Sequence, residues 1–438
     1  VVVNCAQGRR RARGRGVSLA DLVAEHGSAA YVLDEADFRA RAAGFRDAFV
    51  DFDVYYAGKS FLCTTVARWV AEEGLCLDVC SNGELTVALR AGVDPAKLGY
   101  HGNNKSTPEL ARAIEVGVGR VVLDSFDEIE RLATLTTGRS GDPVGVMIRV
   151  TAGVEAHTHE FIATAHEDQK FGFSISSGDA LEAARRVLEL PGLHLLGLHS
   201  HIGSQIFDTS GFEVAARRVL ALHAKVREEL GTEMPEMDLG GGFGIAYTTQ
   251  DDPAEPSALA AQLGEIIEHE CRALGVSRPR LSIEPGRAIV GPSMCTVYTV
   301  GTVKEVALDG GARRTYVSVD GGMSDNVRTA LYDADYSCTL ASRASTAPPV
   351  LARIVGKHCE AGDIVVKDEF LPADITAGDL VAVPATGAYC RSLASNYNHA
   401  LRPPVVAVRD GVATVIVRRE TEDDLLATDV GAHEGESR

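Results

Sequence analysis

Long apolar runs are missing from this 438-residue sequence. None approaches the ~20 residues that cross a bilayer, so no membrane partner is expected. Positive charge is in deficit. Lysine and arginine number 43 against 61 aspartates and glutamates, a net charge of −18, which argues against nucleic acid or an anionic membrane surface as the main partner. A disulfide framework is missing too. The nine cysteines are odd in number and scattered, which fits a reducing, cytoplasmic compartment. The arginine cluster between residues 9 and 15 runs into ordinary globular sequence and not into an apolar signal segment. What is present is 45% apolar and 24% charged. That composition excludes disordered and fibrous classes, and the length allows about two or three domains.

Residues 1–16 read as a mobile basic tail and 431–438 as a frayed end. Between them, short β-rich runs recur at 52–57, 75–80, 97–101, 119–124, 144–150, 193–200, 236–239 and 281–284. Stretches with helical spacing follow most of them, at 61–73, 83–91, 107–117, 126–136, 179–190, 212–230 and 257–274. Eight strand–helix repeats predict a (β/α)8 TIM-type barrel over 31–288, with a doubly wound open sheet as the rival. Ser81-Asn-Gly-Glu84, Ser106-Thr-Pro-Glu109 and Ser125-Phe-Asp-Glu128 are Ser-x-x-Glu capping boxes. Each starts a helix just after a predicted strand, which supports the register independently of hydrophobicity. Over 289–430 valine-rich runs replace the helical spacing and predict a mainly β domain (barrel- or sandwich-like), which 17–30 is expected to join. Ser345–Pro349 and Pro403-Pro404 read as its exposed connections.

In such a barrel the reactive groups sit at the C-terminal strand ends. Lys59 ends the first strand, where partial desolvation would make its amine nucleophilic, as Schiff-base chemistry requires. A snorkelling surface lysine is the plainer alternative. The turn Gly240-Gly-Gly-Phe-Gly244 after the seventh strand is a candidate phosphate cradle or an ordinary tight turn. Glu284-Pro-Gly-Arg287 closes the eighth strand and offers a carboxylate to a ring nitrogen, or a structural ion pair. His199 and His201 share one strand face. They are candidate metal ligands, a ring that stacks on a flat cofactor, or core histidines. Cys76 and Cys80 lack a second pair at zinc spacing and read as packing. His157, His159 and His166 read as a solvated loop, and Cys359-Glu360 lies before a Gly-Asp turn.

Taken together, these motifs resemble the alanine-racemase-like (fold type III) decarboxylases that use pyridoxal 5'-phosphate. The likeness runs from about residue 20 to 425. It rests on Tyr56-Ala-Gly-Lys59, His101-Gly-Asn-Asn-Lys-Ser106, His157-Thr-His-Glu160, Asp168-Gln-Lys-Phe-Gly172 and His199-Ser-His-Ile-Gly-Ser-Gln205. It continues through the triple glycine, Glu284-Pro-Gly-Arg287, Asp320-Gly-Gly-Met-Ser-Asp325, Arg328-x3-Tyr332, Cys359-Glu-Ala-Gly-Asp363 and Gly387-Ala-Tyr389. The member activity it implies is conversion of meso-2,6-diaminopimelate to L-lysine and CO2, with no metal.

The resemblance also implies roles. Lys59 would carry the cofactor and His201 would stack on its ring. Ser204, Gly242, the backbone around Gly286 and Tyr389 would hold the phosphate, and Glu284 would pair with the ring nitrogen. Arg287, Arg328 and Tyr332 would grip the substrate's distal carboxylate. Glu360 would bind the distal ammonium and Cys359 would protonate the reacting carbon, both from the partner chain of a homodimer. Paired guanidinium donors suit a carboxylate, and ornithine, which has no distal carboxylate, would leave them unpaired. Gly58 and Ser60 flank the lysine where relatives usually have alanine, and the glycine is expected to loosen the strand end. Other readings are a decarboxylase of a related basic or D-amino acid, a regulatory relative without catalysis, and a metal-dependent barrel hydrolase using His199 and His201.

Overall fold

The computed structural model describes residues 16–153 and 170–433. The basic stretch 1–15, the loop histidines His157, His159 and His166, and the end 434–438 lie outside the described residues. The chain divides into two compact units.

One unit comprises 39–245 and 252–288 and is the barrel. Its eight strands are Phe52–Ala57, Cys76–Val79, Leu98–Tyr100, Arg120–Leu123, Val144–Thr151, Leu193–Ser200, Glu236–Asp238 and Arg280–Ile283. Every neighbouring pair is parallel, and the ring closes where Leu281 meets Phe52. The rival open sheet is therefore excluded. The connecting helices begin where the serines placed them. Ser81, Ser106 and Ser125 each accept the backbone N–H of the glutamate three residues on. Only Ser106–Glu109 is reciprocal. Glu84 and Glu128 reach one residue further back, to the N–H of Cys80 and of Asp124. Their carboxylates thereby fix strand ends as well as helix starts.

The barrel interior is charged. Arg120 lies over the Tyr55 ring at 3.7 Å, donates to Ser282 Oγ at 3.0 Å and pairs with Asp238. All four side chains are buried. Lys105, from the His-Gly-Asn-Asn-Lys motif, is buried against Glu128 at 2.7 Å. It also donates to the carbonyls of Gly102 and Val122, which ties the loop after the third strand to the fourth. Buried ions of this kind persist only with partners, because desolvation of an unpaired charge costs several kcal/mol.

The other unit comprises the residues up to Phe38, 246–251 and those from Ile289. Its sheet runs Ile364–Pro372, Pro349–Val355, Arg313–Val319, Met294–Ala307, Ala30–Asp34, Val405–Arg409, Val412–Val417. Leu380–Val383 pairs with Met294–Ala307 and with Thr339–Leu340. Helix Leu19–His26 packs Leu22 against Val32, Val297 and Val406. The sequence assigned 31–38 to the barrel, but 31–34 lie in the sheet, and 35–38, the start of helix Glu35–Ala48, group with the same unit. Ala30–Asp34 is buried along its whole length between Met294–Ala307 and Val405–Arg409. A strand apolar on both faces carries no mark of which sheet it joins. Pro403 and Pro404 are buried and not exposed, and the Pro404 carbonyl accepts the Tyr31 N–H at 3.0 Å.

Candidate active site

The C-terminal ends of the barrel strands gather Lys59, His101, His199, His201, the glycine turn and Glu284. Glu284 is buried. Its Oε1 lies 2.9 Å from His199 Nε2 and 3.3 Å from His101 Nε2, and His101 Nε2 is 3.0 Å from Asp78 Oδ1. Burial opposes ionisation of Glu284. The His101 and His199 rings more than offset it, and the carboxyl is held well below the usual range. Asp78 moves the other way, raised by burial and then by the Glu284 charge. Negative charge is thus concentrated on Glu284. His101 is pushed down to about 4, first by burial and against the pull of the Glu284 charge.

His201 is half-buried, and its Nδ1 accepts the Gly241 N–H at 3.2 Å. That bond fixes the neutral ring with its proton on Nε2. Burial and then the Lys59 charge lower its pKa. The expected histidine pair does not act as one, since His199 binds Glu284 while His201 binds the glycine turn. Among the described residues the metal-type donors that converge are His101, His199 and Glu284. The glycine turn needs its glycines. A Cβ on Gly241 would stand 2.3 Å from the Glu284 carbonyl oxygen, and one on Gly242, at φ +109°, 2.5 Å from that of Gly203. At Gly286 a Cβ would stand 2.8 Å from Ala57 Cβ. Three loops therefore approach each other through bare backbone. Arg287, buried, donates to Ser204 Oγ at 2.9 Å.

Lys59 departs from expectation. It stands in the short turn Gly58–Ser60 above the strand and is exposed, while both neighbours are buried. Its charge is within electrostatic reach of His201, Glu84 and Cys80. Gly58 does not loosen the turn. A Cβ there would meet the Asp78 carbonyl oxygen at 2.7 Å. Ser60 donates to the Ala57 carbonyl at 2.8 Å, which closes the turn. Cys76 and Cys80 are half-buried, with thiols pushed up by burial to about 11 and about 12.

In the β unit, Arg328 is buried at the start of the helix Arg328–Tyr332. Its guanidinium lies over Tyr247 at 4.5 Å and Tyr336 at 5.5 Å, and donates to the Tyr336 hydroxyl at 2.5 Å. Arg328 Nε meets no acceptor among the described residues. A buried cation framed by rings suits an incoming carboxylate. Tyr332 is half-buried. So is Tyr389, which holds a left-handed φ of +61°. Cys359 and Glu360 are exposed on a tight turn, closed by the Asp363 N–H donating to the Glu360 carbonyl at 3.1 Å.

Sequence reasoning missed Asp78, Arg120, Tyr247 and Tyr336. Asp78 left one signal, a carboxylate inside an otherwise apolar strand. Tyr247 left none, because it meets Arg328 across 81 residues of chain.

Residues 35–291 match the family model described as pyridoxal-dependent decarboxylase, pyridoxal binding domain. The chain is 56% identical over 420 residues to the diaminopimelate decarboxylase of Mycobacterium tuberculosis strain H37Rv, covering 95% of this chain and 94% of that one. To the diaminopimelate decarboxylase of Bacillus subtilis strain 168 it is 42% identical over 419 residues, with the same coverage. A solved diaminopimelate decarboxylase from M. jannaschii in complex with L-lysine superposes with a TM-score of 0.86 at 30% identity, over 94% of each chain.

Proposed function

Because this chain belongs to the pyridoxal-dependent decarboxylase family, we propose that it converts meso-2,6-diaminopimelate to L-lysine and CO2, the last step of lysine biosynthesis. The observation that carries the reading is Glu284, a buried carboxylate kept ionised by two imidazoles beside the lysine turn of the barrel. A cationic ring nitrogen needs such a partner, and the bare glycine turn leaves room at the rim for a phosphate. The residues therefore fit pyridoxal 5'-phosphate. When bound, that cofactor supplies an electron sink for the carbon that loses CO2.

The chain's own residues do the rest. Lys59 holds the cofactor through its amine. His201, oriented by the Gly241 N–H, would stack on the cofactor ring. Ser204, Gly242, the backbone at Gly286 and Tyr389 hold the phosphate, with Arg287 tied to it through Ser204. Arg287, Arg328 and Tyr332 take the distal carboxylate, and Glu360 the distal ammonium. Cys359 gives its proton to the reacting carbon. The exposure of Cys359 and Glu360 supports their serving the partner chain's site in a homodimer. A reducing, cytoplasmic setting belongs to the same reading, supported by eight described cysteines without a disulfide. Among the described residues no helix is long and apolar enough to cross a membrane.

The test is product analysis. Meso-diaminopimelate, L-lysine and L-ornithine are supplied separately, and released CO2 and amine are measured. Lysine from diaminopimelate is expected. Turnover of ornithine or lysine, with diaminopimelate untouched, would give the alternative reading of a basic amino-acid decarboxylase.

A further inference from the structure

The turn that carries Cys359 is braced from two sides within the β unit. On one side stands Asp363, buried. Its Oδ2 accepts the His358 N–H at 2.7 Å and its Oδ1 the Met323 N–H at 2.6 Å. Gly322 and Gly356 make room for this carboxylate, since a Cβ on either would stand 2.5 Å or less from it. On the other side stands Asn398. Its Oδ1 accepts the Cys359 N–H at 3.2 Å and meets His358 Nδ1 at 3.2 Å, while His358 Nε2 lies 2.8 Å from the buried Ser324 Oγ.

The protons in this chain are determined. A backbone N–H can meet only an acceptor, so the amide oxygen of Asn398 faces Cys359. His358 Nδ1 shares that oxygen and must carry a proton. In the neutral ring, Nε2 then accepts from Ser324. Asn398 reaches this position at a left-handed φ of +51°, a conformation asparagine tolerates better than most residues. The His358 ring also sits 5.5 Å from that of Tyr397. Ser324, His358 and Asn398 thus form a hydrogen-bonded relay that ends on a single backbone N–H, that of the proposed proton donor.

We propose that Asn398, braced by His358 and Ser324, is a positioning residue that fixes the direction of the Cys359 thiol through the Cys359 backbone N–H. The inference rests on the reading of Cys359 as the proton donor. Cofactor-loaded full-length protein tests it, with Asn398→Ala and Asn398→Asp each made in the unaltered chain and in Cys359→Ala. Asn398→Ala should lower kcat for diaminopimelate by about ten- to a hundred-fold with little change in KM, as displacement of a reacting group by about an ångström does. Asn398→Asp keeps the acceptor oxygen and should recover most of the turnover. In Cys359→Ala, the second substitution should cost nothing further. An equal loss in both backgrounds, or an Asp variant as slow as the Ala variant at unchanged melting temperature, overturns the positioning role. Full turnover by Cys359→Ala alone overturns the proton-donor reading and the inference with it. If Asn398→Ala does not fold, His358→Ala, which leaves Asn398 in place, carries the same cycle with a smaller loss.

Discussion

Glu284 in the barrel and the Cys359–Glu360 turn in the β unit are held in opposite ways. In the barrel, Glu284 is buried and engaged with His199 and His101, and Arg120 and Asp238 are paired beneath a tyrosine ring. The electrostatics that a cationic ring would meet is already set within this unit. In the β unit, the thiol and carboxylate of Cys359 and Glu360 stand on an exposed turn, and order there comes from hydrogen bonds made by the turn's backbone, among them one to Asn398. Buried charges need fixed partners, because an uncompensated one is too costly. A surface turn has no such requirement and can present its side chains to another chain. The contrast teaches that the charge state of Glu284 is set by partners within its own unit, whereas the turn of Cys359 and Glu360 leaves its side chains at the surface.

The largest expected effect breaks the contrast at Lys59. Lys59→Ala should abolish turnover and the visible absorbance of bound cofactor together, and unchanged turnover would refute the attachment role. Mixed with Cys359→Ala subunits, which should bind cofactor yet turn over slowly, it should regain part of the activity, since a mixed dimer holds one intact shared site. Absence of any recovery despite demonstrated subunit exchange would sever exposure from sharing. Glu284→Gln sharpens the barrel side. It removes the charge but keeps the shape, and kcat should fall by about 10²- to 10³-fold. A change below about three-fold would show that the ionised carboxylate is not what the chemistry uses.

The smallest effect separates the units by pH. Burial holds His101 at about 4 in the barrel, below its ordinary 6.5. The unfolded chain therefore takes up this proton first, and barrel stability should fall as pH drops from 6.5 towards 4. In the β unit, burial raises Asp325 from 3.8 to about 7. The folded state holds the proton there, so stability from this group should fall as pH rises from 3.8 to 7. Removing the two groups in turn, by His101→Gln and by Asp325→Asn, should change the pH dependence of amide exchange in their own units in opposite directions between pH 4.5 and 6.5 (roughly the overlap of the two windows). Asp325→Asn should flatten the β-unit trend alone, and a parallel response in both units would discard the distinction.

Much of this was legible in the chain. The barrel strands follow the apolar runs closely, because interior packing imposes a local pattern on each strand and serine caps mark three of the helix starts. The residues at the strand ends were legible for the same reason, since the fold brings every such end to one rim. The boundary at 30–38 was not legible, because a strand buried on both faces reads alike in either sheet.

By itself, then, the sequence determined the (β/α)8 repeat, the change to β structure after 288, and which polar residues and glycines stand at the strand ends. These follow from periodicity, capping and residue type, which act over a few positions. Tertiary structure alone decided that Glu284 is the ionised member of a carboxylate pair, that Lys59 is exposed between two buried neighbours, that Tyr247 and Tyr336 frame Arg328, and that Asn398 reaches the Cys359 N–H. Charge state and orientation depend on burial and on partners tens to hundreds of residues away, and no local pattern records them.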